Sequence, residues 1–472
     1  MAEALRGKRV TLVGLGTRQG GLGIARYLVS QGARVTVTDL RSEEALADTI
    51  AALDGLPIRY VLGRHEERDF TPEGADMVVR NPAVPRRAPL LQLAREHGVP
   101  IEMEMSLFFR ACPAPIVGVT GTKGKTTVST LAGALLRHAI PGTRVGGNMG
   151  VTALGQLDDL SPDAPIVLEI SSWQLEALIE HRLAPQVAVL TLIAEDHLNT
   201  YDGFEDYAAT KRGIARYQTP AEFLVVNRDD PESWRAAEET AASVVPFGIK
   251  DAGTDGAWHA GGELVWRWRG SEVRWPAPQS PALRGPHGLR NALAAVAAAM
   301  LAGGNVGAIQ RGLESFAGVR DRMEMVATVA GVTYINDTTA TAPVAAAAAL
   351  SALGEGTGRI HLLAGGADKK LDPAPLVDAV ARSGAAVYLF NGTATPAICD
   401  ALTAQGVEPH GSFDSMREAV GAASAAANPG DTVLLSPGCA SFGLFQDEFD
   451  RGEQFRAAVA SLESAGAEVG RG

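Results

Sequence analysis

The chain has 472 residues, 46% apolar and 20% charged, with a formal net charge of −12. That length is more than one hydrophobic core can serve, so several domains are expected, and the composition is that of a globular protein. The acidic balance argues against a nucleic-acid partner, which needs a basic face, and no apolar run reaches the roughly 18 residues of a membrane span.

The opening "MAEALRGKRVTLVG" runs straight into a strand pattern, with no apolar signal core. Cys112, Cys399 and Cys439 have neither metal-ligand spacing nor an even count, so a reduced, cytoplasmic setting is expected. "KRVTLVGLG", "LGIARYLVSQG" and "ARVTVTDL" then read as strand, helix, strand, the rhythm of a parallel sheet. Gly14, Gly16 and Gly20 after the first strand, with Asp39 ending the second, come close to a dinucleotide fingerprint. The turn either packs tightly on its helix or seats a nucleotide diphosphate at the helix N-terminus. This block ends near residue 112, where "ACPAP" reads as a linker.

The second block opens with "IVGVTGTKGKTT". A strand precedes the loop and a helix follows it, the setting of a phosphate-binding loop, although Val119 stands where the usual first glycine would. Gly121 and Gly124 let the backbone approach phosphates, Lys125 neutralises their charge, and Thr126 can reach a magnesium ion. Glu169 ends the strand in "PIVLEISSW" and offers that ion a carboxylate, with His197 in "AEDHLN" as a second ligand. Either residue alone would more often be structural. The block closes on the Ala-rich helix "NALAAVAAAMLAGG", and a boundary falls near "SFAGVRDR". A third block returns to alternating strands and Ala-rich helices. The expectation is an α/β protein of three domains, 1–112, 113–317 and 318–472, with the candidate residues at strand ends, where ligands of open α/β sheets collect.

Taken together, "GVTGTKGKTT", "GGNMG", "EISSWQLE", "EDHLNTYDGFEDYAATK", "HGLRNALAA", "INDTTAT", "LLAGGADKK" and "LLSPGCASFGLF" occur in the order of the Mur ligases, and the resemblance covers nearly the whole chain. "EISSWQLE" and "SPGCAS" resemble the branch that adds D-glutamate to UDP-N-acetylmuramoyl-L-alanine. The resemblance implies a Rossmann-like UDP-binding domain, a central P-loop ATPase-like domain and a C-terminal Rossmann-like domain. It also implies a monomeric enzyme using ATP and Mg²⁺. Gly121, Thr122, Lys123, Gly124, Lys125, Thr126 and Thr127, with Asn291, Arg322 and Asp337, would hold ATP. Thr126, Glu169, His197 and Lys211 (the last as a CO₂-derived carbamate) would hold the metal, with Lys125, Lys211 and His197 central to catalysis. Gly16, Thr17, Asp39, Leu40, Arg41 and Asn148 would hold the UDP-sugar, which decides the first-block turn against NAD. Thr341, Lys369, Ser441 and Phe449 would hold the amino acid.

Three positions depart from the family pattern. Thr339 replaces a usual lysine, Gly288 a usual asparagine, and Glu448 precedes Phe449 where an aromatic residue is usual. The same chemistry with another amino acid, such as L-glutamate, is the nearest alternative, and a nucleotide-binding regulator without catalysis a more distant one.

Overall fold

A computed structural model describes residues 5–17, 19–148, 152–196, 200–278, 280–354 and 358–469. Three sheets carry the chain. The first has five parallel strands in the spatial order Ile58–Leu62, Arg34–Asp39, Arg9–Val13, Met77–Arg80 and Ile101–Glu102. Val10, Leu12, Val35 and Val37 are buried because helices such as Gln19–Ser30 cover the sheet. The chain departs in opposite directions on the two sides of Arg9–Val13, so the strand order reverses there, and a crevice forms at the carboxyl ends.

The second sheet has nine strands, from Ser271–Pro276 at one edge to Arg144–Gly147 at the other. Its middle strand for function is Ile116–Thr120, buried along its whole length and flanked by Val187–Leu190 and Ile166–Glu169 in parallel register. The loop after Thr120 therefore emerges between the ends of two neighbours, at Glu169 and at Leu190. Beyond Gly256–Ala260 the sheet continues as an antiparallel hairpin rich in tryptophan, Glu263–Trp268 and Ser271–Pro276. The third sheet runs Glu324–Val329, Val332–Asn336, Thr432–Leu435, Ile360–Gly365, Ala386–Phe390 and Ser412–Phe413, parallel except for its first pair.

By compactness the chain forms two units: Met1–Ala277 with Arg290–Leu313, and Pro278–Leu289 with Glu314–Gly472. Within the first unit, one apolar core joins Leu12 and Val37 of the first sheet to Leu168 and Leu190 of the second, with Leu107 and Phe108 between them. The first two sheets thus share a core. Among the described residues, no helix is long and apolar enough to cross a membrane.

Candidate active site

The loop Gly121–Gly124 is held from three sides. Gly121 has φ +145°, and a Cβ there would lie 1.9 Å from Thr191 Oγ1, so no side chain fits. Thr191 Oγ1 lies 2.7 Å from the Lys123 carbonyl and ties the loop down. At Gly124, with φ +91°, a Cβ would meet Asn291 Oδ1 at 2.5 Å; the structure thus brings Asn291 against the loop. Thr122 Oγ1 accepts from the Ala194 backbone N–H at 3.0 Å and shares a hydrogen bond with the Tyr207 hydroxyl at 3.1 Å. Lys125 opens the helix Lys125–Arg137, and its Nζ donates to the Thr122 carbonyl at 3.2 Å. Lys123 is exposed, Thr126 half-buried and Thr127 buried. Backbone N–H groups, a helix N-terminus and an ammonium therefore share one small loop, an arrangement suited to phosphate.

Glu169 is buried at the end of its strand. Its Oε1 accepts from Asn148 Nδ2 at 3.3 Å, and the Asn148 backbone N–H donates to the Glu169 carbonyl at 2.8 Å. Oε2 has no hydrogen-bond partner among the described residues. A buried carboxylate oxygen without a donor is costly, and it suits a hard divalent cation. Among the described residues no three of His, Cys, Asp and Glu gather as a metal site. One carboxylate beside a phosphate loop still fits Mg²⁺, which commonly binds through one or two carboxylates plus substrate phosphates. His197 lies outside the described residues.

Lys211, on the helix Phe204–Arg212, is 2% exposed. Its Nζ lies 3.5 Å from Thr120 Oγ1, at the end of the strand that feeds the phosphate loop, and 5.2 Å from the centre of the Tyr207 ring. Burial, reinforced by the charge of Lys125, lowers its ammonium to about 7, against smaller opposing effects of Asp196 and Glu169. Lys211 therefore feels the charges of both Lys125 and Glu169. Thr191 and Tyr207 were not singled out in the sequence, yet both fasten the loop. The one signal for Tyr207 was its place four residues before Lys211, on the same helix face.

In the first sheet, the Gly16 backbone N–H donates to Asp39 Oδ2 at 3.1 Å and that of Arg41 to Oδ1 at 2.9 Å. Thr49 Oγ1 donates to the Gly16 carbonyl at 3.2 Å. Asp39 thus shapes the turn that would receive a diphosphate, while Thr17, Leu40 and Arg41 stand exposed around it. The glycine packed tightly after this turn is Gly21, one residue past the Gly20 of the fingerprint. A Cβ on Gly20 would meet nothing within 4 Å, whereas one on Gly21 would lie 1.9 Å from the Leu15 carbonyl oxygen.

In the third sheet, Lys369 Nζ donates to Thr341 Oγ1 at 2.9 Å. Ala367 and Ala440 exchange backbone hydrogen bonds of 2.9 and 3.2 Å, which draws the loop of Lys369 beside that of buried Ser441. Three strand-end loops converge, while Phe449 is 56% exposed nearby in sequence. Asp337 is buried, accepting from Ser436 Oγ at 2.8 Å and from the Met323 backbone N–H at 3.2 Å. Burial raises its carboxyl to about 6, against those hydrogen bonds and the charge of exposed Arg322. Two departures gain a physical reason. Gly288 stands where a Cβ would lie 2.3 Å from the Leu283 carbonyl carbon, and Thr339 Oγ1 donates to the Asp321 carbonyl at 2.9 Å.

Comparison with known proteins adds the following. Residues 8–102 match the Mur ligase MurD-like N-terminal domain, 119–299 the Mur ligase middle domain, and 321–439 the Mur ligase glutamate ligase domain. The chain is 47% identical over 469 residues to the UDP-N-acetylmuramoylalanine–D-glutamate ligase of Roseiflexus sp. (strain RS-1), covering 97% of this chain and 99% of that one. It is 40% identical over 458 residues to the enzyme of the same name from Trichlorobacter lovleyi, covering 97% and 100%. Among solved structures, UDP-N-acetylmuramate-alanine ligase from Thermotoga maritima superposes with a TM-score of 0.57 at 20% identity, covering 96% and 99%. A second ligase from that organism, solved with ADP, gives 0.54 at 18%, covering 98% and 97%. At such identities these two speak for the fold alone.

Proposed function

The chain belongs to the Mur ligase family, and we propose that it is the ATP-dependent ligase that joins D-glutamate to UDP-N-acetylmuramoyl-L-alanine during synthesis of the peptidoglycan precursor. The observation that carries this reading is the cluster at two neighbouring strand ends and the helix beside them: a phosphate loop, a buried Glu169 with one oxygen unpartnered among the described residues, and a buried Lys211. Full-length identity to D-glutamate ligases supports the substrate.

The alanyl carboxylate oxygen attacks the γ-phosphorus of ATP, the bond to ADP breaks, and an acyl phosphate forms. The amine of glutamate then attacks the acyl carbon, the carbon–oxygen bond to phosphate breaks, and the nitrogen sheds a proton. The protein supplies positioning and charge rather than a covalent partner. Lys125 exchanges the Thr122 carbonyl for the ATP phosphates, which the 121–127 backbone surrounds, with Asn291, Arg322 and Asp337 binding the rest of the nucleotide. Thr126, Glu169, His197 and Lys211 would hold Mg²⁺, which would neutralise phosphate charge. Lys211 serves as its carbamate: the neutral amine forms a bond to the carbon of CO₂ and releases a proton, replacing a cation with an anionic oxygen donor. An ammonium lowered to about 7 leaves free amine at neutral pH. Gly16, Thr17, Asp39, Leu40, Arg41 and Asn148 seat the UDP-sugar. Thr341, Lys369, Ser441 and Phe449 seat glutamate. We place the enzyme in the cytoplasm, as a monomer.

The test is phosphate release from ATP with UDP-N-acetylmuramoyl-L-alanine and a panel of D- and L-amino acids. D-glutamate is expected to turn over fastest. Faster turnover of L-glutamate would mean that Thr339 and Glu448 have rebuilt the pocket, overturning the substrate while leaving the ligase chemistry in place.

A further inference from the structure

Four arginines on one stretch of the first-sheet region, Arg80, Arg86, Arg87 and Arg95, each meet a carboxylate from the second-sheet region. Arg80 pairs with Glu176, Arg86 with Asp206, Arg87 with Asp202, and Arg95 with Glu180 at 3.6 Å. In these four pairs every cation comes from the first-sheet region and every anion from the second, and three of the pairs, all but Arg87–Asp202, line a cavity of about 320 Å³ that Thr210 and Arg216 also line. The pairs are not equivalent. Arg80 and Glu176 are almost wholly buried, so losing either leaves a stranded charge in the fold. Arg87 and Asp202 are both more than half exposed, and such pairs contribute little.

Arg86 and Asp206 lie between these extremes, and Arg86 has a second contact. Its guanidinium carbon sits 5.3 Å from the centre of the Tyr201 ring. Tyr201 packs edge-on to Tyr207, with ring centres 5.4 Å apart, and the Tyr207 hydroxyl reaches Thr122 of the phosphate loop. Asp206 is in the first turn of the helix Phe204–Arg212, whose last turn holds Lys211. One first-sheet arginine thus touches the near ends of two packed paths, one through Tyr201 and Tyr207 to the phosphate loop and one along the helix from Asp206 to Lys211.

We propose that Arg86 is a positioning residue for the ligase reaction: it holds the Lys211 helix and, through the two tyrosines, the phosphate loop in register with the UDP turn of the first sheet. This rests on the ligase reading above. A UDP-sugar bound at Gly16 must present its carboxylate about 3–3.5 Å from the γ-phosphorus, and a misplacement of about 1 Å can cost about 100-fold in rate. Arg86 touches no reacting atom, so its loss acts on kcat rather than on binding.

The test compares wild type, Arg86→Glu, Asp206→Arg, the double swap, and Arg87→Glu as control. Each single reversal at the 86–206 pair is expected to lower kcat at least tenfold, with KM for ATP and for the UDP-sugar within about threefold. The swap should regain most of the loss, and Arg87→Glu should stay within twofold. Arg86→Gln, which removes the charge without reversing it, replaces Arg86→Glu if that variant melts early. Amide hydrogen exchange is read in parallel. Faster exchange over 204–212 and 121–125 in Arg86→Glu, reversed in the swap, supports the coupling even if wild type fails to ligate D-glutamate, an outcome that would sink the functional reading alone. Wild-type kcat in Arg86→Glu, or unchanged exchange over both segments, overturns the proposal.

Discussion

Lys211 concentrates the chemistry at the residue scale. Its ordinary value is near 10.4, and burial brings it to about 7 in the folded protein. Between about pH 7 and 10 the unfolded chain therefore binds more protons than the folded one, so this residue's contribution to stability rises with pH across that window and is lost as pH falls towards 7. Carbamate formation needs the same neutral amine. Enzyme stripped of CO₂ should regain activity faster at pH 8 than at pH 6 when dissolved CO₂ is held at the same concentration, as followed by phosphate release; equal rates would sever the lysine from the recovery. Lys211→Ala should be nearly inactive and partly rescued by small carboxylates, while Lys211→Arg should be inactive without rescue. Normal activity in the arginine variant would show that a cation is tolerated there. Lys125→Ala should lose at least about 100-fold in kcat, the scale of removing one preorganised charge-stabilising donor, with a little-changed melting temperature because the residue is the first of its helix and only half-buried. Substantial activity in that folded variant would detach the loop from ATP.

Among the elements, strand-end loops were the part most readily seen in the sequence. Glycines, a lysine and hydroxyls following an apolar run are local signals, so the loop 121–127 and the stretches holding Asp337, Lys369 and Ser441 stand out. The structure brings Thr341 to Lys369 and the Lys369 loop beside that of Ser441. Lys369→Ala and Ser441→Ala should therefore raise KM for glutamate strongly and leave KM for ATP within a few-fold, since a buried carboxylate that loses its partner costs roughly 1–3 kcal/mol. What the sequence hid was contact between distant segments. Nothing near Gly288 announces that the Leu283 backbone fills the space of its Cβ, and so the glycine read only as a departure. Gly288→Asn, restoring the usual family residue, should lower stability by about 1–3 kcal/mol in a denaturation experiment. Thr339→Lys, by contrast, gives up one hydrogen bond to the Asp321 carbonyl and should fold. Gly21, which packs on the Leu15 backbone, was not singled out, because a string of glycines does not reveal which one is closely packed.

For the whole molecule, parallel-sheet rhythm was legible because central strands such as Ile116–Thr120 and Ala386–Phe390 are buried along their whole length and read as apolar runs. The joining of the first two sheets through a common core, and the four arginine–carboxylate pairs across them, were not legible. Partners such as Arg86 and Asp206 stand 120 residues apart, and Coulomb pairing leaves no periodicity in a sequence. The proposed reaction needs the whole assembly of sites, since the residues proposed for the UDP-sugar, ATP and glutamate draw on all three sheet regions. In the proposed reaction, ATP activates the alanyl carboxylate of the UDP-sugar as an acyl phosphate before the amide forms. The most direct measurement uses UDP-N-acetylmuramoyl-L-alanine carrying ¹⁸O in that carboxylate, with ATP and D-glutamate, and mass analysis of the released phosphate. One ¹⁸O atom transferred to each phosphate per amide formed is the predicted result; phosphate free of ¹⁸O while amide accumulates would contradict it.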